Sequence, residues 1–264
     1  MSAGPGTIAF RILILLLLVF LLAPIFVVMV FAFNASDYLE FPLKGFSLEW
    51  FRSFFSSEQF MDSFFLSLRL AVITSLIAMV IGTMAALVLV RGGFPGADLL
   101  SSLFLSPLML PAILTGLALF QFYVILGWPR TFAGLLVAHI IVTIPYLIRT
   151  VTAVLQGSNM SLEEAARSLG ASEIRTFFEI TLPLIRPGVI AGGIFAFIVS
   201  FDQFPVSLFL VRSDMTTLPI QLFNYLKFSF DPTIAAAAVV SVVMSVAVVL
   251  IIEWTVGLQE YAGF

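Results

Sequence analysis

The chain has 264 residues, 61% of them hydrophobic and only 10% charged, with 29 Phe and a net charge of -3. A soluble domain of that length has too little interior to hide so much apolar surface, so most of it must face lipid. The small net charge gives no argument for nucleic acid. The absence of Cys excludes disulfides and thiolate metal sites, and a single His outside any HExxH or His/Asp cluster argues against a zinc or iron centre.

Crossing about 30 Å of hydrocarbon takes about 20 helical residues. Six apolar runs reach that length, at residues 10–33, 65–90, 99–126, 132–155, 188–211 and 234–256. None shows the two-residue alternation of a barrel strand, and a helix satisfies its own backbone inside lipid. The expectation is an all-α six-helix membrane bundle, with residues 1–264 as one transmembrane domain. The first run is too long for a signal-peptide core and lacks a small-x-small site before Asn34-Ala35-Ser36-Asp37, so it reads as a retained span. After it, Leu48, Phe51, Phe54 and Phe55 recur at helical spacing around Glu49 and Arg52. That pattern predicts an amphipathic helix on the membrane surface with Trp50 as an interface anchor, either a structural belt or a docking element.

Tight turns at Arg91 to Asp98 and Gly127 to Thr131 join spans two to three and three to four. Pro107, Pro111 and Pro145 are expected to bend spans three and four. Gln121 and Tyr123, near the outer end of span three, either line a path or sit at the interface. His139 in span four is either a packing residue or a proton relay. The 12 Lys and Arg divide evenly between the two sides of the expected bundle, so charge leaves its orientation open.

Residues 156–187 form a polar loop between two oily stretches. Ser161 and Glu164 have the S-x-x-E spacing of a capping box, which predicts a helix start. Ala165, Ala166 and Leu169 then present a small apolar face, and Gly170 reads as a left-handed terminator. Ser172 restarts a second short helix through Phe177, Phe178 and Ile180, with Leu182-Pro183 expected to close it. Helix, glycine, helix makes a rigid knob with a surface that a partner can approach; the alternative is a loop folded back on its own bundle. No GxxxxGK[ST] phosphate loop occurs in the chain, so any ATP hydrolysis must come from elsewhere.

In span five, Asp202 lies about 14 residues beyond Gly188, hence about 21 Å along a helix, in the outer half of the bilayer. A carboxylate costs several kcal/mol on a lipid face and is expected to point inward. Pro205 has no N–H to give to the carbonyl of Phe201, which predicts a kink. The Asp202 carboxylate, the Gln203 amide and the bare Phe201 carbonyl together suit an ammonium group with three donors. A structural ion pair, or a protonated Asp202 bonded to a neighbouring helix, is the alternative.

The spacing Glu164-Ala165-Ala166, three residues, Gly170, nine residues, Ile180-Thr181-Leu182-Pro183 resembles the cytoplasmic coupling loop of ABC-importer permeases. The six-span layout, the segment Ser200 to Ser207 and Thr217-Leu218-Pro219-Ile220 look like permeases of polyamine importers, in particular the second permease of spermidine/putrescine systems. The resemblance implies a type I importer-permease fold, in which Glu164, Ala165, Ala166 and Gly170, followed by Ile180, Leu182 and Pro183, couple to an ATPase. It further implies a homologous second permease, two subunits that bind ATP and Mg, and a periplasmic binding protein. The setting would be a bacterial inner membrane, with both termini cytoplasmic. Tyr225, Lys227 and Asp231 then either face the binding protein or belong to a solvated loop. One departure is visible: polyamine permeases often carry two adjacent acids where this chain has Asp202-Gln203, and a single carboxylate suits a monoamine or zwitterion. Similar permeases carry opines, aminophosphonates or ferric iron. In the rival class, a secondary transporter, Asp202 would carry a proton and the knob would have no use.

Overall fold

The computed structural model describes residues 5–256. In chain order its helices are α1 (Pro5–Ala32), α2 (Glu49–Ser56), α3 (Glu58–Arg91), α4 (Ala97–Met109), α5 (Ala112–Ile125), α6 (Phe132–Gly157), α7 (Ser161–Ser168) and α8 (Glu173–Thr176). A π-helical turn, Phe177–Thr181, leads into α9 (Leu182–Phe201), followed by α10 (Phe204–Leu210), α11 (Leu218–Leu226) and α12 (Thr233–Val256). Helices long and apolar enough to cross a bilayer are α1, α3, α6, the Glu173–Phe201 run and α12, with α4 and α5 as a sixth, broken candidate. The protein is an all-α membrane protein. By internal contacts, the expected single domain is made of two compact units: residues up to Met61 with Leu222–Ser245, and Asp62–Gln221 with residues from Val246 onward.

In the first unit, Trp50 is buried. It packs with Ala32, Ala235, Ala236 and Val239, and its indole N–H donates to the Asn34 carbonyl at 2.8 Å. A buried indole needs an acceptor, and the carbonyl just past the end of α1 supplies one. On α2, Phe54 is buried, while Phe55 and, at the N-cap, Leu48, both expected on the same apolar face, are exposed. The Tyr225 hydroxyl donates to Asp231 at 2.6 Å, while Asp231 accepts from the Thr233 amide at 2.9 Å and caps α12. Burial, together with the bond to Asp231, raises the Tyr225 phenol above its ordinary pKa. On α1, every side chain from Phe10 to Val28 is exposed.

The second unit is organised around α6, which packs against α3 and α9. A methyl group on Gly82 would sit 2.4 Å from Leu147 Cβ, and one on Gly192 2.5 Å from Thr150 Oγ1. Glycine at both places therefore lets the helices approach backbone to side chain, as membrane interfaces favour. Between them Ala78, Leu147 and Ala196 form a small buried cluster.

Two expected spans are not single helices. Residues 99–126 divide at Leu110-Pro111 into α4 and α5, which meet at 108°. Proline disfavours helical geometry in the residue before it, and Leu110 is extended (φ -87, ψ 142). Residues 188–211 also divide: α9 ends at Phe201, and Asp202 and Gln203 form a turn. Pro205 sits in the first turn of α10, where a missing N–H costs nothing, rather than kinking a continuous helix.

Candidate functional site: the coupling segment and the break in the fifth span

The loop after α6 folds as the expected helix–glycine–helix, with a different cap. The cap residue is Met160 rather than Ser161, without a side-chain capping bond, and the Ser161 amide donates to Asn159 Oδ1 at 3.1 Å. The helix begins one residue earlier than a Ser161 cap would give, at Ser161 itself, and the Asn159 side chain takes up its first free N–H. At the other end, the Ala171 amide donates to Ala166 O (3.0 Å) and the Gly170 amide to Arg167 O (2.9 Å). These are the two bonds of a Schellman motif, with Gly170 at φ +92, where a β-carbon is disfavoured. Ser172 then caps α8 through the Arg175 amide at 3.3 Å.

The second helix does not stop at Leu182-Pro183, as its sequence had suggested. Pro183 has no N–H for the carbonyl four residues back, and the backbone widens: Leu182 N–H donates to Phe177 O, five residues back. α9 then continues from Leu182 with Pro183 in its first turn. The knob thus runs without interruption into α9.

Of the residues singled out in the sequence, Glu164, Ala165, Gly170 and Pro183 are exposed, while Ala166, Ile180 and Leu182 are half-buried. Around them Leu169 is 90% exposed and Ile174 72%, an apolar tip with nothing from this chain over it. Phe177 and Phe178 meet edge to face at 4.9 Å. With Ile174, Met84, Leu87 and Val88 they line an apolar groove of about 750 Å³ beside α3.

The other glutamate of the pair turns inward. Glu163 is 4% exposed and reaches Arg91 at 3.3 Å and Arg167 at 3.7 Å. Arg91 Nη2 also donates to Ser158 Oγ at 2.9 Å. Sequence reasoning chose Glu164 and passed over Glu163. The Glu163–Arg167 spacing of four on one helix was the local signal for it; the partner on α3 left no local trace.

The fifth-span residues separate. Phe201 is buried and stacks on Phe197 (6.2 Å), with Phe64 edge-on at 6.0 Å. Gln203 is buried. Asp202 follows the last turn of α9, with its amide on Ile198 O at 3.1 Å, and is exposed. Gln121 is exposed as well. Tyr123 is buried, stacks on Trp128 and donates to Gly134 O at 2.8 Å. Its hydroxyl thus ties α5 to α6. His139 is fully buried, with Nδ1 2.9 Å from Ser200 Oγ and Nε2 3.0 Å from Ser207 Oγ. It clips the end of α9 to α10 across the Asp202-Gln203 turn.

Residues 78–259 match the model of the family "Binding-protein-dependent transport system inner membrane component". The chain belongs to this family. It is a permease subunit, a transport component rather than an enzyme. The permease is 34% identical to the putrescine transport system permease protein PotI of Escherichia coli (strain K12), over 92% of this chain and 89% of the relative. It is 30% identical to the spermidine/putrescine transport system permease protein PotC of Haemophilus influenzae, over 88% of this chain and 90% of the relative. In fold it is similar to a chain of a bacterial ABC transporter that imports the acidic polysaccharide alginate, with a TM-score of 0.64 at 19% identity over 99% of both chains.

Proposed function

We propose that this permease forms half of the translocation path of an importer for polyamines or a related organic amine. It pairs with a homologous permease, is driven by two subunits that bind ATP and Mg, and receives its cargo from a periplasmic binding protein. The observation that carries the substrate reading is the likeness to the putrescine and spermidine/putrescine permeases over 88–92% of the chain. The turn at Asp202-Gln203 supports it. An exposed carboxylate at that depth is costly against lipid and is well placed on a cavity wall shared with a second permease. The Phe201 carbonyl, which Pro205 cannot bond, adds an acceptor for an ammonium group. Gln121 is assigned to the same wall.

Glu164, Ala165, Ala166 and Gly170 meet the ATP-binding subunit, and Ile180, Leu182 and Pro183 carry the displacement into α9. ATP binding draws the two coupling segments together as rigid bodies and opens the cavity outward; hydrolysis resets it. Both termini and the coupling segment are cytoplasmic in this scheme, in a bacterial inner membrane. Gln203, standing where a second acid would favour a longer polyamine, favours a cargo with fewer amines as the second reading.

The test is ATP-driven uptake of labelled putrescine and spermidine by the whole complex in liposomes. Uptake of either amine is the expected result. ATP hydrolysis with uptake of neither overturns the polyamine reading, points to a different amine, a zwitterion or a metal, and leaves the importer assignment standing.

A further inference from the structure

We infer that Glu163 is a positioning residue that clasps the coupling helix to the ends of α3 and α6 and passes its motion to them. The inference rests on the coupling role proposed above for this loop.

The geometry joins three elements at one carboxylate. Arg91 is the last residue of α3, and its Nη2 lies 3.3 Å from Glu163 Oε1 on the first turn of α7. The same nitrogen donates to Ser158 Oγ at 2.9 Å and lies 3.5 Å from Leu155 O, in the last turn of α6. Ser158 Oγ in turn donates to Leu155 O at 2.8 Å. Arg167 approaches Glu163 Oε2 from the same helix at 3.7 Å. A guanidinium at the C-terminal end of α6 also complements the negative end of that helix. Beneath the clasp lies an apolar cluster of Ala86, Val151, Leu155 and Ile185, which lowers the local dielectric and strengthens the attraction.

The backbone alone does not hold α7 in this orientation. It is flanked by the extended Ser158 (φ -85, ψ 145) on one side and the left-handed Gly170 on the other. Ser158 is a point where a helix can swing, whereas the two Schellman bonds at Gly170 tie α7 to the segment that follows. At its far end the knob continues through the π-turn into α9, and the clasp supplies the link to α3 and α6. Glu164 and Ala165 stay exposed, so the clasp does not compete with a partner for the docking face. Pulling the buried carboxylate away from Arg91 leaves it only Arg167, 3.7 Å away on its own helix, and strips the largely buried Arg91 guanidinium of its carboxylate partner. A displacement of α7 is therefore shared with α3 and α6 instead of being absorbed at Ser158.

The test measures uptake per ATP hydrolysed in the reconstituted complex. Glu163→Gln and Arg91→Gln are each expected to keep ATP hydrolysis and to lower uptake per ATP by about two- to thirtyfold, the span typical of coupling residues. A ratio equal to the parent's in both variants overturns the inference. The chain has no cysteine of its own, so Arg91→Cys with Glu163→Cys can be joined by a short disulfide-forming bifunctional reagent and released by a reductant. The bridged form should couple and the reduced form should not, within one sample that is assembled throughout. Equal ratios before and after reduction would sink the clasp even if a neutral variant failed to assemble. If the unaltered chain assembles with no ATP-binding subunit, the coupling role itself fails, which is a different outcome.

Discussion

Asp202 ends a helix instead of lying within one, and this changes what its carboxylate can do. A residue inside α9 would have been held by the helix face; one in the turn after Phe201 is free to aim where the turn aims it. Asp202→Asn keeps the shape and removes the charge. Uptake of a cationic cargo should fall by about tenfold or more, the worth of one charge-assisted hydrogen bond, while assembly of the complex is unchanged. Equal uptake by the variant would reduce Asp202 to a turn residue. At this scale the sequence was legible wherever the reason for a residue is local. Gly170 at φ +92 and Ser172 as a cap both follow from rules that span a few residues. Ser161 is the first residue of its helix rather than the cap, with its amide taken by Asn159, because two residues able to cap lie two apart and only geometry chooses between them. Glu163 was passed over for Glu164 because its partner Arg91 is 72 residues away in the chain.

At the scale of the element, apolar run length located the long helices, and it could not see where they break. Pro111 and Pro205 were both readable as bends. Whether a proline bends a helix or begins a new one depends on what packs across the gap. At Pro205 a methyl group on Gly116 of α5 would lie 2.7 Å from the Pro205 carbonyl, so α5 abuts the new helix start and braces it. His139 braces the same break through Ser200 and Ser207. The π-turn at Phe177–Thr181 was illegible for a related reason, since a motif spacing does not say how the backbone accommodates it. The packing of α6 on α9 makes a sharp prediction. Gly192→Val places two methyl groups against Thr150 and Leu147, where one already has no room. Overpacking of that kind costs about 1–3 kcal/mol, so the melting temperature in detergent should drop by several degrees. An unchanged melting temperature would mean that α9 can slide away from α6 at little cost.

For the whole molecule, composition alone marked a membrane protein, and the family motif marked a transport subunit, because both signals are carried by many residues or by one uninterrupted segment. The division into two compact units left no trace in composition, since residues up to Met61 and Leu222–Ser245 are joined only by contacts distant in sequence. The outer surface of the chain follows from the same physics. α1 is apolar on every side from Ile12 to Val28, and that stretch is at home in lipid as it stands. The turn between α9 and α10, at the depth proposed for it, is not, because an exposed carboxylate against lipid calls for another subunit or a water-filled cavity. A copy made in excess of its partner therefore carries its own mark of incompleteness. Expressed alone, the chain should be cleared by membrane proteases several times faster than when its homologous permease is made with it, and Asp202→Leu should lengthen the life of the solitary copy. Pulse-chase of the tagged subunit would decide the matter; equal lifetimes in all three cases would exclude it. Subunit balance in the cell would then be kept by degradation of whichever copy remains unpaired, with a single side chain as the signal.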